Sequence, residues 1–316
     1  MNRLRALLIA SGWSAAIATL LGLLAGCSGA GATAGGGRPR VLRYAHAPSG
    51  EEMQDTSLRT ELLKRYLEQE LHMPVEMVEV SFYGPTIEAM RAEKVDVATF
   101  GPFGYIIAAQ KAGAQAIVVP GDAQRHPSTY KSIIAVPQDS PLHSVTDLKS
   151  HARDLVFLFT DPASTSGNLI PRTYLESQGM DPERDFKKVV YAGQQAMAAL
   201  TVKSRKVDAG AMMDSILGRL QSTGKLAPNE LRVIWTSDPI PASPICVRGN
   251  LPQGFKDEIR RALLAIPQKQ PVLWESMKKL YRRPNIVTFV PIDDSAYDQL
   301  REFARHARGI NLSEAN

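Results

Sequence analysis

The stretch Asp161-Pro162-Ala163-Ser164-Thr165-Ser166-Gly167-Asn168 decides how the rest of this chain can be interpreted. It lies between an apolar run at 155–159, typical of a buried strand, and a segment at 169–178 with helical apolar spacing. This order predicts a strand, a tight turn and a helix start. Helix starts bind oxyanions, because their first N–H groups have no intrahelical partner and the helix dipole favours negative charge. Ser, Thr and Asp are also ordinary N-cap residues, so by itself the turn equally indicates simple capping.

The same stretch, followed by Pro171, resembles the D-P-x-S-T-S-G-x-x-x-P signature of the periplasmic binding proteins that serve phosphonate, phosphite and phosphate ABC importers. That signature is specific, whereas the two Lys-Val-Asp triplets at 94–96 and 206–208 are weak matches by themselves. The resemblance covers residues 41–264. Its other matches are Tyr83-Gly84 before Ile87-Glu88-Ala89-Met90-Arg91, Phe100-Gly101, Ala192-Gly193, Val233-Ile234-Trp235 and Ile240-Pro241.

This resemblance implies an α/β, two-lobed fold of the type II periplasmic-binding-protein class. Each lobe is then a mixed sheet flanked by helices, with residues 40–128 and 240–316 in lobe 1 and residues 129–239 in lobe 2. Two crossover segments, at 127–130 and 238–244, join the lobes. Independently, the alternation of short apolar runs with amphipathic segments predicts parallel strands joined by helices, with ligands at the carboxyl ends of the strands. The first-lobe loops at 47–50, 81–85 and 100–104 occupy such positions.

The N-terminus has the pattern of a lipoprotein leader. Arg3 and Arg5 precede an uncharged segment at 6–24, and Leu24-Ala25-Gly26-Cys27 resembles a lipobox. We therefore expect residues 1–26 to be a signal peptide, Cys27 to carry lipid, and residues 27–39, rich in Gly, Ala and Ser, to form a flexible tether. The alternative is a transmembrane anchor, since the apolar segment approaches the length of a bilayer span.

Composition excludes several classes of function. The 316 residues are 44% hydrophobic, which supports a folded core, and the formal net charge is only +5, too low to indicate nucleic-acid binding. The six histidines are dispersed, so no metal site is predicted, and no cofactor is expected. With Cys27 lipidated, Cys246 has no disulfide partner and is expected to be a buried small hydrophobe.

No catalytic motif is present. The sequence lacks a G-x-S-x-G elbow, a Walker loop and a Rossmann G-x-G-x-x-G, and Pro102 removes one of the N–H donors from Gly101-Pro102-Phe103-Gly104. We therefore expect a binding protein rather than an enzyme.

An oxyanion that has lost its water shell needs many directional hydrogen-bond donors, because each lone pair left without a donor costs free energy. In lobe 2, Ser164, Thr165, Ser166 and the N–H groups of Ser166 and Gly167 are the candidates. The resemblance implies that Tyr83 donates its hydroxyl from lobe 1, although a packing tyrosine is the alternative.

Three departures from the family pattern leave specificity open. Phe100 stands where the family often has a second aromatic hydroxyl, which is then missing unless Tyr105 reaches the site. Gln194 or Gln195 stands where the family has a histidine; the spacing from Asp208 favours Gln195, and the Ala-Gly match favours Gln194. The resemblance implies that a ligand ammonium is held by carboxylates from the second lobe and the second crossover. Here only Asp214 offers such a carboxylate, because the crossover position is Ser243.

We therefore expect a monomeric lipoprotein, held on the extracytoplasmic face of the cell membrane by its lipid alone, that captures a phosphorus oxyanion and passes it to ABC permease subunits. The alternative is a sensor-type lipoprotein of the same fold that binds a different small ligand.

Overall fold

The computed structural model describes residues 37–46, 53–80 and 82–307, which belong to one compact unit. The predicted leader, the Cys27 site, most of the tether and the loop at 47–50 lie outside these residues. None of the described helices combines the length and apolar composition that a membrane span requires.

Strands and helices alternate through most of the described chain. The strands are β1 (Leu42–His46), β2 (Val75–Glu79), β3 (Val97–Thr99), β4 (Gln115–Gly121), β5 (Thr129–Tyr130), β6 (Ser132–Pro137), β7 (Val156–Phe159), β8 (Lys188–Tyr191), β9 (Ala209–Met213), β10 (Leu231–Thr236), β11 (Ile240–Pro241), β12 (Ile245–Val247) and β13 (Thr288–Pro291). The α-helices are α1 (Met53–Leu71), α2 (Tyr83–Arg91), α3 (Pro102–Ala112), α4 (Val145–Ser150), α5 (Ile170–Ser177), α6 (Pro182–Asp185), α7 (Gln195–Lys203), α8 (Ser215–Ser222), α9 (Gln253–Lys269), α10 (Pro271–Tyr281) and α11 (Asp298–His306).

The strands form two mixed sheets. The six-stranded sheet has the order β13-β4-β12-β3-β1-β2, and the five-stranded sheet has the order β10-β6-β9-β7-β8. We call the first sheet and its helices the first lobe, and the second sheet and its helices the second lobe. In each sheet three neighbouring strands are parallel, as the strand–helix alternation predicts. The remaining pairs of neighbouring strands are antiparallel. The two-lobed, mixed-sheet α/β class is therefore confirmed.

The two sheets repeat one design. The order β2-β1-β3-β12-β4 in the first corresponds to β8-β7-β9-β6-β10 in the second, with β12 and β6 antiparallel to their central neighbours. β6 and β12 each follow a crossover. The crossovers pair as a short antiparallel ribbon, β5 with β11, so both connections between the lobes run side by side.

The two Lys-Val-Asp triplets have equivalent structural roles. The Asp96 carboxylate accepts the backbone N–H of Arg43 in β1 at 2.8 Å, and the Asp208 carboxylate accepts the N–H of Val156 in β7 at 2.7 Å. Asp96 is fully buried and also pairs with the Arg248 guanidinium at 2.7 Å. The triplets thus tie the central parallel strand of each sheet to its neighbour and do not contribute to a site.

The hydrophobic cores cover both faces of each sheet and place Cys246 fully inside the first lobe. Burial raises the pKa of its thiol well above the ordinary value, which confirms the prediction of a small buried hydrophobe. One cluster joins the lobes: Ala163 and Leu169 of the second lobe pack in the core around Phe100 and Phe103 of the first. The lobes are therefore in contact beside the Asp161–Asn168 turn.

Candidate functional site

The Asp161–Asn168 turn has a well-defined conformation at the end of β7. Asp161 accepts the N–H of Ala163 at 2.8 Å, and the Ser164 hydroxyl accepts the N–H of Gly167 at 3.0 Å, as an N-cap does. The first helical turn, Thr165–Leu169, is a π-turn that leads into α5, whereas the sequence predicted a regular helix from Thr165. Capping and ligand binding are therefore not exclusive alternatives at Ser164, since its hydroxyl hydrogen stays available for donation.

Gly167 is required by close packing. A Cβ at this position would lie 2.3 Å from Cβ and Oγ1 of Thr160, and 2.9 Å from the Ser164 Oγ. Its carbonyl also accepts the N–H of Thr160 at 2.8 Å. The turn therefore folds back tightly on the end of its own strand, which fixes the directions of the three hydroxyl side chains.

The turn makes direct polar contacts with the first lobe. The backbone N–H of Phe103, at the start of α3, donates to Thr165 Oγ1 at 2.8 Å. Asp161 likewise accepts a hydrogen bond from the backbone of Tyr83, where α2 starts. Each of these first-lobe helices thus has an N-terminal donor capped by a second-lobe side chain, which stabilises the closed arrangement.

Tyr83 and Thr165 approach the same point from opposite lobes. A Cβ at Gly101 would lie 3.3 Å from Thr165 Oγ1 and 3.4 Å from the Tyr83 hydroxyl oxygen. Burial, with a smaller contribution from the charge of Asp161, raises the pKa of Tyr83 to about 12, against the opposing effects of a hydrogen bond with Gly101 and the charge of Arg219. At neutral pH the phenol is therefore protonated and able to donate.

Tyr130 provides a second phenol that the sequence analysis missed. Its side chain hydrogen bonds with those of Thr165, Ser166 and Ser243. Burial raises its pKa above the ordinary tyrosine range, so it too stays protonated. Its position at the end of the first crossover was the available signal, because a crossover between lobes runs along the cleft.

Tyr105 does not replace the missing aromatic hydroxyl. It is buried in the first lobe, where its hydroxyl donates to Asp294 at 2.7 Å and its ring packs on Tyr297 with centroids 4.9 Å apart. Phe100 lies on the cavity wall and has no hydroxyl. The question left open by the sequence, whether Tyr105 reaches the site, is therefore answered in the negative for this arrangement, and Tyr130 is the second phenol at the site.

Gln194 and Gln195 both line the cavity, but they differ in what holds them. The Gln195 carbonyl oxygen accepts the N–H of Met213 at 2.8 Å, which orients its amide nitrogen toward the Ser164 hydroxyl at 3.3 Å. Gln194 is the N-cap of α7 and makes no side-chain cap hydrogen bond. Gly193 before it has φ +81°, and a Cβ there would meet the Phe82 ring of the first lobe at 2.2 Å.

Asp214 is already paired. Its carboxylate forms an ion pair with the Arg283 guanidinium at 2.6 Å and accepts the N–H groups of Ser215 at 2.9 Å and Lys131 at 3.2 Å. Because Arg283 belongs to the first lobe, the pair joins the lobes. Asp214 therefore sits where the resemblance implies a carboxylate, but in this closed arrangement a cation of the protein itself neutralises it.

A cavity of about 320 Å³ lies between the lobes. Its polar wall includes Gly101, Tyr83, Tyr130, Thr160 and Ser243, together with both glutamines. The hydroxyl residues of the turn do not line it directly: Ser164, Thr165 and Ser166 are each no more than 2% exposed. As seen from the cavity, they lie behind Tyr130 and Gly101. In this arrangement Ser164 accepts the N–H of Gly167, Thr165 accepts the N–H of Phe103, and Ser166 interacts with Tyr130.

The predicted site residues thus fall into two groups. Tyr83, Ser164, Thr165, Ser166, Gly167 and Gln195 are brought together around Gly101 and Tyr130, with Gln194 on the adjoining wall, while Asp214 is turned to Arg283. Among the described residues, no cluster of His, Cys, Asp and Glu is suited to hold a metal ion. The donors among the predicted site residues carry no full charge, which suits them to binding an anion through directional hydrogen bonds.

Comparisons with known proteins show the family to which the chain belongs. The family model described as ABC transporter, phosphonate, periplasmic substrate-binding protein matches residues 47–297. The phosphonates-binding periplasmic protein of Escherichia coli K12 is 31% identical over 248 residues, which is 78% of this chain and 73% of that protein.

Two further relatives fit the same group. The phosphate-import protein PhnD of Mycolicibacterium smegmatis is 29% identical over 250 residues, covering 75% of this chain and 76% of that protein. The crystal structure of a binding protein component of an ABC phosphonate transporter from Pseudomonas aeruginosa has a TM-score of 0.74 at 26% identity, covering 83% of this chain and 85% of that chain.

Proposed function

Because this chain belongs to the family of periplasmic substrate-binding proteins of phosphonate ABC transporters, we propose that it captures a phosphorus oxyanion between its lobes and delivers it to an ABC permease. The observation that carries the proposal is the convergence of Thr165 and Tyr83 on Gly101 from opposite lobes, with Tyr130 bonded to the same threonine. The names of the relatives include both phosphonate and phosphate, so the proposal is framed for the shared oxyanion.

Binding replaces contacts within the protein by contacts to the ligand. In the closed arrangement, the Tyr130 hydroxyl interacts with the side chains of Thr165, Ser166 and Ser243. An oxyanion placed between Tyr83 and this cluster would accept from those hydroxyl groups, from the Gln194 or Gln195 amide, and from Ser164. Since the site donors Tyr83 and Tyr130 are both protonated at neutral pH, no proton has to leave the protein on binding.

The lobes are proposed to move as units about the β5–β11 ribbon, with residues 40–128 and 240–316 in one and residues 129–239 in the other. Closure around a ligand is the movement that a binding protein needs, and no catalytic group is required for it. The protein is proposed to act as a monomer without enzymatic activity.

Attachment to the membrane is proposed to occur through lipid on Cys27, after removal of residues 1–26, with residues 27–39 as the tether. The support is the sequence pattern of the leader and the small residues before Cys27. The folded lobes would then work in water on the extracytoplasmic face, close to the permease.

A thermal-shift series tests the proposed ligand class. Phosphate, phosphite, methylphosphonate and aminoethylphosphonate are added to the purified protein, with sulfate as a tetrahedral anion without phosphorus. A ligand present at 100 times its Kd stabilises the native state by about 2.7 kcal/mol, which is easily seen as a rise in Tm. We expect at least one phosphorus compound to raise Tm more than sulfate does. Equal, negligible shifts throughout would refute the proposal and favour a different small ligand.

A further inference from the structure

The charged residues on the cavity wall are all of one sign. Arg59, Arg219 and Arg283 line it, whereas no lining residue in the described part of the chain is an aspartate or glutamate. These charges attract a phosphorus oxyanion and repel a positively charged group on a ligand. Although Asp214 compensates the charge of Arg283, a wall that carries guanidinium groups and no carboxylate is more favourable for an anionic group than for an ammonium.

The nearest carboxylate does not change this balance. Asp214 is bound to Arg283 at 2.6 Å, so a ligand ammonium would have to displace a guanidinium that is part of the protein. Arg283 is part of the protein chain and is always close to Asp214. A ligand, by contrast, loses translational and rotational freedom each time it binds, which costs free energy. Exchange of the guanidinium for a ligand amine is therefore unfavourable.

Arg219 is linked to the predicted oxyanion residues by a short chain of contacts. Gln195 contacts the Ser164 hydroxyl at 3.3 Å and the Met213 N–H at 2.8 Å, and the Met213 sulfur contacts the Arg219 guanidinium at 3.7 Å. The charge of Arg219 also acts on the Tyr83 phenol. Arg219 and Tyr83 also line the same cavity, so a ligand held at the Tyr83 hydroxyl shares that cavity with a guanidinium.

The cavity also has room for such a substituent. Its volume is about 320 Å³. A phosphate ion, with five heavy atoms, needs at most about 150 Å³ when each atom is given the roughly 30 Å³ that a water molecule occupies in the liquid. Space is therefore left in the cavity for a short substituent on phosphorus.

We propose that the preferred ligand is a phosphonate whose short organic substituent ends in a second anionic group, such as a carboxylate, and that Arg219 binds this group. The proposal rests on the proposed function, because the hydroxyl cluster must hold the phosphorus end. Arg219 is then a specificity-determining residue, since a guanidinium binds a carboxylate through two parallel hydrogen bonds.

Calorimetric titration of the full chain in detergent tests this with four probes. Phosphonoacetate carries the carboxylate, acetonylphosphonate replaces it by a neutral methyl ketone of similar shape, aminoethylphosphonate carries an ammonium, and methylphosphonate has no functional substituent. We expect phosphonoacetate to bind about tenfold or more tightly than acetonylphosphonate, the ratio typical of hydrogen bonds to a charged group. Aminoethylphosphonate should bind most weakly.

Variants then assign the effect to Arg219. Arg219→Gln should remove the difference between phosphonoacetate and acetonylphosphonate, and Arg219→Lys, which keeps the charge without the planar fork, should retain part of it. Arg184→Gln is the matched control, because Arg184 is an exposed arginine of the second lobe outside the cavity wall; it should leave all four affinities unchanged.

The outcomes separate the two proposals. Binding of methylphosphonate together with equal affinities for phosphonoacetate and acetonylphosphonate in the unmodified protein would overturn the second-anion proposal and leave the proposed function standing. A preference for phosphonoacetate that survives in Arg219→Gln would overturn the role of Arg219. Absence of binding by all four phosphonates would overturn both.

Discussion

Replacing Thr165 by valine should weaken ligand binding by opening the lobes. Thr165 Oγ1 accepts the Phe103 N–H at 2.8 Å, and the two residues are 1% and 2% exposed. Valine has nearly the same shape but cannot accept a hydrogen bond, so the closed form would bury an unbonded N–H group. In the open form the same N–H group meets water, and the penalty falls on closure alone.

The expected magnitude follows from that asymmetry. A buried donor left without an acceptor costs about 1–3 kcal/mol. This shifts the closing equilibrium by about 5- to 150-fold. If the ligand binds only the closed form, the apparent Kd rises by up to the same factor, and by less the more the closed form predominates in the unmodified protein. Thr165→Ser keeps the hydroxyl and serves as the matched control, with a much smaller expected change.

Two measurements report on this change. Calorimetry with methylphosphonate gives Kd, and energy transfer between dyes attached to Lys94→Cys and Arg184→Cys, exposed positions in the first and second lobe, follows closure. Cys246 is fully buried and should not compete for the dyes. Energy transfer in the ligand-free protein should fall in Thr165→Val. Unchanged affinity and unchanged energy transfer in this variant would refute the interpretation of the Thr165 contact as a closure contact.

Three further predictions concern charge and anchoring. Cys27→Ala should abolish metabolic labelling with a fatty-acid analogue and leave an unprocessed precursor; equal labelling of both proteins would exclude lipidation at Cys27. Between about pH 5.5 and 8.5, affinity should follow the ligand's own ionisation, since the described cavity wall contains no histidine and the raised pKa of Tyr83, about 12, keeps its proton throughout, while Gln194→His should add a step near pH 6.5. Asp96→Asn should lower the free energy of unfolding in urea by at most about 3–5 kcal/mol, because it removes the buried charge partner of Arg248 and leaves that guanidinium with the exposed Glu93 at 3.3 Å. Asp139→Asn, at an exposed ion pair, should change it by less than about 1 kcal/mol.

Local patterns in the sequence predicted the Asp161–Asn168 turn and the alternation of strands and helices, because both depend on residues close together in the chain. The two lobes and the crossovers at 127–130 and 238–244 were implied by the family resemblance, and the turn residues in these segments are compatible with them. The second crossover leads into β12, which lies inside the first sheet at the position equivalent to that of β6 in the second sheet. The strand Ile245–Val247 is too short to show a period, so its pairing was not predictable from its own three residues.

The site was only partly predictable, for a different reason. Tyr130, Arg219 and Arg283 come from segments without a motif, and only the closed arrangement of the lobes brings them to the cavity. The pairing of Asp214 with Arg283 joins residues 69 positions apart. Sequence reasoning identified Asp214 as a carboxylate in the right region, but the state of a carboxylate depends on its partner in space.

The internal pairing of the hydroxyl groups also explains how a binding protein of this kind can release its ligand. The Tyr130 hydroxyl interacts with the side chains of Thr165, Ser166 and Ser243 in the described structure, so bonds from these groups to an oxyanion would replace contacts within the protein. The net gain from each exchange is small compared with the bond itself. If the second-anion proposal is correct, the contact between the ligand and Arg219 contributes more to affinity than these exchanged hydrogen bonds, and a permease that separates the lobes has to overcome mainly that contact.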